Sequence, residues 1–97
     1  MICRSPEAAR TVERALRHGS PVRLALDGEF EFRSGLTVTC VQEVKGLEFD
    51  HVIVPDASAG TYPDTRESRR ALYVAVTRAT HRLGLASAGA WSPLLAR

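Results

Sequence analysis

Val44-Lys45-Gly46-Leu47-Glu48-Phe49-Asp50-His51-Val52-Ile53-Val54 is the stretch whose reading decides the fold. Lys45 is the chain's single lysine; the other strongly basic side chains are all arginine. Gly46 lets the backbone come close to a neighbour. Glu48 and Asp50 stand just ahead of an apolar run that reads as a buried strand over 51–54. The β-branched residues of 36–41 read as a central strand on the other side. A strand, a charged glycine-bearing turn and a second strand predict an α/β fold with the turn at a carboxyl sheet edge, where such folds hold ligands.

Toward the C-terminus, Pro55-Asp56 closes the strand and 56–64 reads as a loop. Asp64 and Glu67 have capping-box spacing for a helix over 65–80 that buries Leu72, Ala75, Val76 and Ala79. Tyr73 and Phe49 read as core residues because each adjoins apolar neighbours. A final strand is expected over 82–86. Residues 88–97 then form a loosely held tail with Trp91 exposed.

Toward the N-terminus, Val22, Leu24 and Leu26 alternate with other residues as in a half-buried strand. Asp27-Gly28 is a hairpin-turn dipeptide, and Glu29-Phe30-Glu31-Phe32 resumes the alternation. Ile2-Cys3 is a short apolar strand, and Ser5-Pro6-Glu7 is a helix start with a capping hydroxyl and a first-turn proline. Ala8, Ala9, Val12, Ala15 and Leu16 supply the helix's apolar stripe. Gly19 is expected as its left-handed cap, with His18 compensating the helix dipole.

Ninety-seven residues suffice for one domain that buries roughly 60–65% of its unfolded surface. A composition 44% apolar and 25% charged is that of an ordinary globular protein. No apolar run reaches the ~18–20 residues of a membrane span, and no signal-peptide core is present, so no membrane partner is expected. Cys3 and Cys40 lack metal-ligand spacing and read as buried reduced thiols, which suits a cytoplasmic protein without a metal site. Net charge is +2 but uneven: +3 over 1–23, −6 over 24–64 and +5 over 65–97. A basic face could meet phosphate, although the overall balance alone does not argue nucleic acid.

Lys45-Gly46-Leu47-Glu48-Phe49-Asp50, taken with Arg69-Arg70-Ala71-Leu72-Tyr73-Val74-Ala75-Val76-Thr77-Arg78-Ala79, resembles the UvrD/Rep-like superfamily 1 DNA helicases. The first stretch looks like their motif V and the second like their motif VI, in the family's order and separation. The resemblance is strong over 36–85 and weaker over 1–20. It implies a single RecA-like, P-loop NTPase-like domain: a mostly parallel sheet flanked by helices. Within 1–97, the strand–helix entrance would occupy 1–20, a small β-hairpin insertion 22–35, the motif core 36–86 and the tail 87–97.

The resemblance also implies roles. Arg78 would be the arginine finger that reaches the γ-phosphate of ATP, and Gly46 and Glu48 would join it at the nucleotide. Gln42, Lys45 and Arg70 would contact DNA or couple it to the nucleotide site. At Gln42 many relatives carry a histidine that helps hold single-stranded DNA; glutamine keeps a donor and an acceptor there. No Gly-x-x-x-x-Gly-Lys-Ser/Thr phosphate loop occurs in the chain. The implied protein is therefore the C-terminal half of an ATP-dependent helicase. It would be inactive alone and without bound ATP or Mg2+, and would be completed by an N-terminal RecA-like lobe acting on single-stranded or duplex DNA. Two other readings stay open. One is a stand-alone, non-catalytic DNA- or protein-binding module derived from a helicase. The other is an ordinary α/β domain in which Arg78 points away from the Lys45–Glu48 turn.

Overall fold

Ser5 begins the first helix as the sequence leads one to expect. In the computed structural model, which describes residues 1–19, 21–26 and 35–96, its hydroxyl accepts from the Ala8 N–H at 3.2 Å. Helix α1 (Pro6–Leu16) follows strand β1 (Ile2–Cys3) and precedes strand β2 (Val22–Leu24). Ala9 is buried on α1, with Ala8 and Val12 half-buried against the same cluster, whereas Ala15 is exposed. Gly19 does not take the expected left-handed conformation: α1 ends at Leu16, and Arg17 caps it in the right-handed region.

Strand β3 (Leu36–Cys40) lies between β1 and β2 in a three-stranded sheet of order β1-β3-β2, parallel to both. Val22–Leu24 thus belongs to this parallel sheet, in register with Leu36, Thr37 and Val38. The Asp27-Gly28 turn and the second arm of the expected hairpin lie outside the described residues.

Strand β4 (Phe49–Val54) begins two residues earlier than its apolar run suggests and pairs in parallel with β5 (Ala79–Leu85). Helix α2 (Arg66–Val76) joins them. Every ladder among the described strands is parallel, which makes the fold a small mixed α/β domain. Side-chain alternation along β1 divides the core. Cys3 goes to a cluster with Ala9 and Val38 beside α1, and Ile2 to a larger one with Val52, Val54, Leu72 and Ala75.

Two sequence expectations fail at α2. Its cap is Thr65, whose hydroxyl accepts from the Ser68 N–H at 3.1 Å, rather than Asp64. It also stops at Val76, four residues short of the expected end, so Ala79 opens β5 instead of closing a helix. The Thr77 hydroxyl donates to the Tyr73 carbonyl at 2.7 Å beside the Thr77 N–H at 3.0 Å, and just beyond, the Arg78 carbonyl accepts from the Phe49 N–H of β4. The tail is not loose either. Ser92 is 2% exposed and its hydroxyl donates to the Tyr62 carbonyl at 2.6 Å, while Leu94 and Leu95 pack on the larger core cluster. No helix among the described residues is long and apolar enough to cross a membrane.

Candidate functional site

The charged turn is held by its apolar members. A single 3-10 turn (Val41–Glu43) follows β3, and Val41 and Val44, three residues apart, both drop into the core. Gln42, Lys45, Gly46 and Glu48 remain exposed between these anchors and β4. Gly46 has φ +79°, a left-handed backbone that disfavours any side chain, yet a Cβ there would meet nothing within 4 Å. The backbone conformation, not crowding within this chain, is what requires glycine. Because the turn leaves the carboxyl end of β3 and feeds the amino end of β4, it also adjoins the start of β5.

That junction brings Arg78 to the turn. The Phe49 N–H donates to the Arg78 carbonyl at 2.8 Å, so the residue directly after Glu48 is fastened to Arg78. The Thr80 hydroxyl makes a second link, 3.3 Å from the Phe49 carbonyl and 3.3 Å from Asp50 Oδ1. Arg78 follows α2 instead of lying within it. Its Nη2 donates to the Thr77 hydroxyl at 3.1 Å, and its Nε is enclosed without a hydrogen-bond partner among the described residues. The Thr77 hydroxyl gives its own proton to Tyr73, which leaves its lone pairs to hold the guanidinium. Among the described residues no ion pair engages Arg78 or Glu48.

The three residues assigned to DNA also converge. Gln42 and Lys45 from the turn and Arg70 from α2 line one cleft of about 680 Å3. Its floor is apolar, built from Val41, Ala71 and Val74, and Arg69 and Tyr73 complete its wall. Arg69 leans toward Asp64 at 3.4 Å. Tyr73 is 59% exposed, contrary to the expectation that it sits in the core. Phe49 does pack against the core, half-buried.

No nucleophilic thiol is available beside the site. Cys3 and Cys40 are free, buried and opposite each other across the β1–β3 ladder. Burial pushes the Cys3 thiol up to about 11. Burial also raises Cys40, more than the backbone N–H groups of Gln42 and Glu43 lower it. Thiols held so far toward the protonated form are poor nucleophiles and poor metal ligands. Among the described residues no group of three His, Cys, Asp or Glu could hold a metal ion.

Sequence reasoning missed Thr77, Thr80 and the exposed face of Tyr73. Thr77 stood in plain view beside Arg78, and a threonine just before a cationic group at a helix end is the signal that could have found it. Thr80 could not have been found, because its partners lie about thirty residues away in the chain.

The fold and these contacts define a parallel-stranded α/β domain in which a glycine-bearing charged turn and the end of the second helix are bound together. The chain belongs to the UvrD-like helicase C-terminal domain family, whose model matches residues 35–86, more than half of its length. Among solved structures it is similar to the C-terminal domain of a possible DNA helicase from Lactobacillus plantarum WCFS1. That likeness has 38% identity and a TM-score of 0.87, and it covers 99% of this chain and 59% of that one. The present chain thus spans about three-fifths of that relative's length. No curated protein matches it.

Proposed function

We propose that the chain is the second, RecA-like lobe of an ATP-driven DNA helicase or translocase. The nucleotide would lie between this lobe and a first lobe that carries the phosphate loop. The observation that carries the reading is Arg78, fastened by its carbonyl to the motif V turn, steadied by Thr77 and retaining an enclosed Nε without a partner among the described residues. Enclosed donors are nearly always satisfied, and this one sits on the residue whose carbonyl is bound at the charged turn, where the reading places the nucleotide.

An arginine suits a γ-phosphate because it stays charged and offers a rigid donor fork. When water attacks the γ-phosphorus and the bond to the bridging oxygen breaks, negative charge spreads over the transferring group and its leaving oxygen. The guanidinium stabilises that charge. Gly46 leaves open space beside the turn, and Glu48 stands exposed where it can accept a ribose hydroxyl. The described residues offer no cluster suited to Mg2+, so no step is assigned to the metal on this lobe. ATP binding closes the two lobes and hydrolysis releases them, which steps the protein along single-stranded DNA held in part by Gln42, Lys45 and Arg70.

ATP turnover tests this. In the two-lobed parent, Arg78→Ala is expected to lower the rate by ~10³–10⁵-fold while leaving the domain folded. Thr77→Val should cause a smaller loss, since it removes the support and not the charge. The chain alone should show no turnover. Motor-like hydrolysis by the chain alone, or a parent indifferent to Arg78→Ala, would refute the proposal. A reading frame that continues upstream into a phosphate loop separates the motor from a stand-alone module.

A further inference from the structure

The cleft between the turn and α2 has chemistry that the motor reading leaves unused. Tyr73 presents a largely exposed ring on its wall, above an apolar floor of Val41, Ala71 and Val74. Lys45 from the turn and Arg70 from α2 both line it, and among the described residues no carboxylate does. A volume of about 680 Å3 lies within the range of small-ligand clefts. An aromatic face over an apolar floor suits the plane of a base, and flanking cations suit its phosphates.

We propose that this cleft seats one nucleotide of a DNA single strand, with the base stacked on Tyr73 and the flanking phosphates met by Lys45 and Arg70. The inference rests on the DNA-motor reading but adds a base contact to it. Stacking is indifferent to base identity, because every base has a π-face, and so it fits a protein that must move over any sequence. Charge complementarity favours a strand over a segment of the first lobe, because a protein segment would need to supply carboxylates to both cations. Gln42 at the rim can donate to or accept from whichever base edge is presented.

The 97-residue chain has two tyrosines, one of them an internal control, since Tyr62 is fully buried. With ring-labelled tyrosine, a short oligothymidylate at low salt should move the Tyr73 resonances upfield and leave those of Tyr62 in place. Tyr73→Ala should weaken oligonucleotide binding by about 5- to 150-fold with an unchanged salt slope, and Tyr73→Trp should restore it. Lys45→Ala should flatten the plot of log affinity against log salt by about 0.7.

Several results overturn the seat: an unmoved Tyr73 at saturating oligonucleotide, no oligonucleotide binding at low salt, or unchanged affinity in Tyr73→Ala. So does a Tyr73 response to free ATP but not to the strand. If the first lobe, added without DNA, shifts Tyr73 and blocks the oligonucleotide, the cleft is a lobe contact and the proposal fails. These outcomes leave the ATPase effect of Arg78→Ala to decide the motor reading separately.

Discussion

Tyr62 is fully buried, and among the described residues its hydroxyl finds no hydrogen-bond partner. Burial pushes its pKa up to about 12, against a smaller opposing pull from Arg4, so it stays protonated at ordinary pH. What Tyr62 contributes is therefore its ring, which lies in the larger core cluster with the Arg4 guanidinium 5.6 Å from its centroid. A buried hydroxyl without a partner costs about 1–3 kcal/mol in desolvation. Tyr62→Phe keeps the ring and the cation and removes that cost, so stability should be unchanged or higher by about 1 kcal/mol. For a domain of this size that is a rise of roughly 4–8 °C in Tm, read by thermal unfolding. A clear fall in Tm would show that the hydroxyl has a partner after all. Tyr73 makes the converse point about legibility. Its apolar neighbours Leu72 and Val74 suggested core, but the buried stripe of α2 is Ser68, Ala71, Leu72 and Ala75. Position 73 lies about 100° round the helix from Leu72 at the stripe's edge, so helical arithmetic held the answer where the apolar neighbours in sequence did not.

Boundaries were harder to read than elements. The existence of β3, β4, α1 and α2 and the parallel α/β class were all legible, because β-branched runs and a capped helical stripe are local signals. The end of α2 was not. Val74-Ala75-Val76-Thr77 suits helix or strand almost equally, and the choice is made by a distant partner, the Phe49 N–H that takes the Arg78 carbonyl. The start of α2 was misplaced by a single residue, since Asp64 and Thr65 are both good caps. The structure distinguishes them. Thr65→Ala removes the acceptor of the Ser68 N–H and should cost about 1 kcal/mol, whereas Asp64→Ala leaves that cap bond in place and should cost less. Urea midpoints for the two variants check the assignment, and equal losses would reject it. The same helix carries Arg70, Tyr73 and, just beyond its end, Arg78, so fraying at its start should be felt first at the cleft and later at Arg78.

On the scale of the whole molecule, the part least legible in sequence is the part that ties the chain's last third together. Asp56 accepts from the Thr61 hydroxyl at 2.7 Å, the Ser58 N–H at 3.2 Å and the Ala88 N–H at 3.1 Å, joining the loop after β4 to the tail. Nothing local announces such a contact, and a stretch of Ala, Ser and Gly such as 86–90 looks free. Burial acts to raise the Asp56 carboxyl, but these hydrogen bonds outweigh it and hold the group below its usual range. The folded carboxylate therefore sheds its proton more readily than the unfolded one. Its stabilisation is complete above the unfolded pKa, about 3.9, and is lost as pH falls through the folded value. Deleting residues 88–97 removes the Ala88 donor, the buried Ser92 bond to Tyr62 and the packing of Leu94 and Leu95. One buried hydrogen bond is worth about 1 kcal/mol and two half-buried leucines together about 2 kcal/mol, so the loss should be about 3 kcal/mol. That is a large share of the ~5–15 kcal/mol that holds a domain of this kind. Urea titrations at pH 7 and near pH 3 should show the truncated chain weaker at both, with the smaller acid-induced drop because one of the Asp56 donors is gone. Truncation without effect at pH 7 would mean that the tail is the loose end its composition suggests, and that the larger core cluster closes without it.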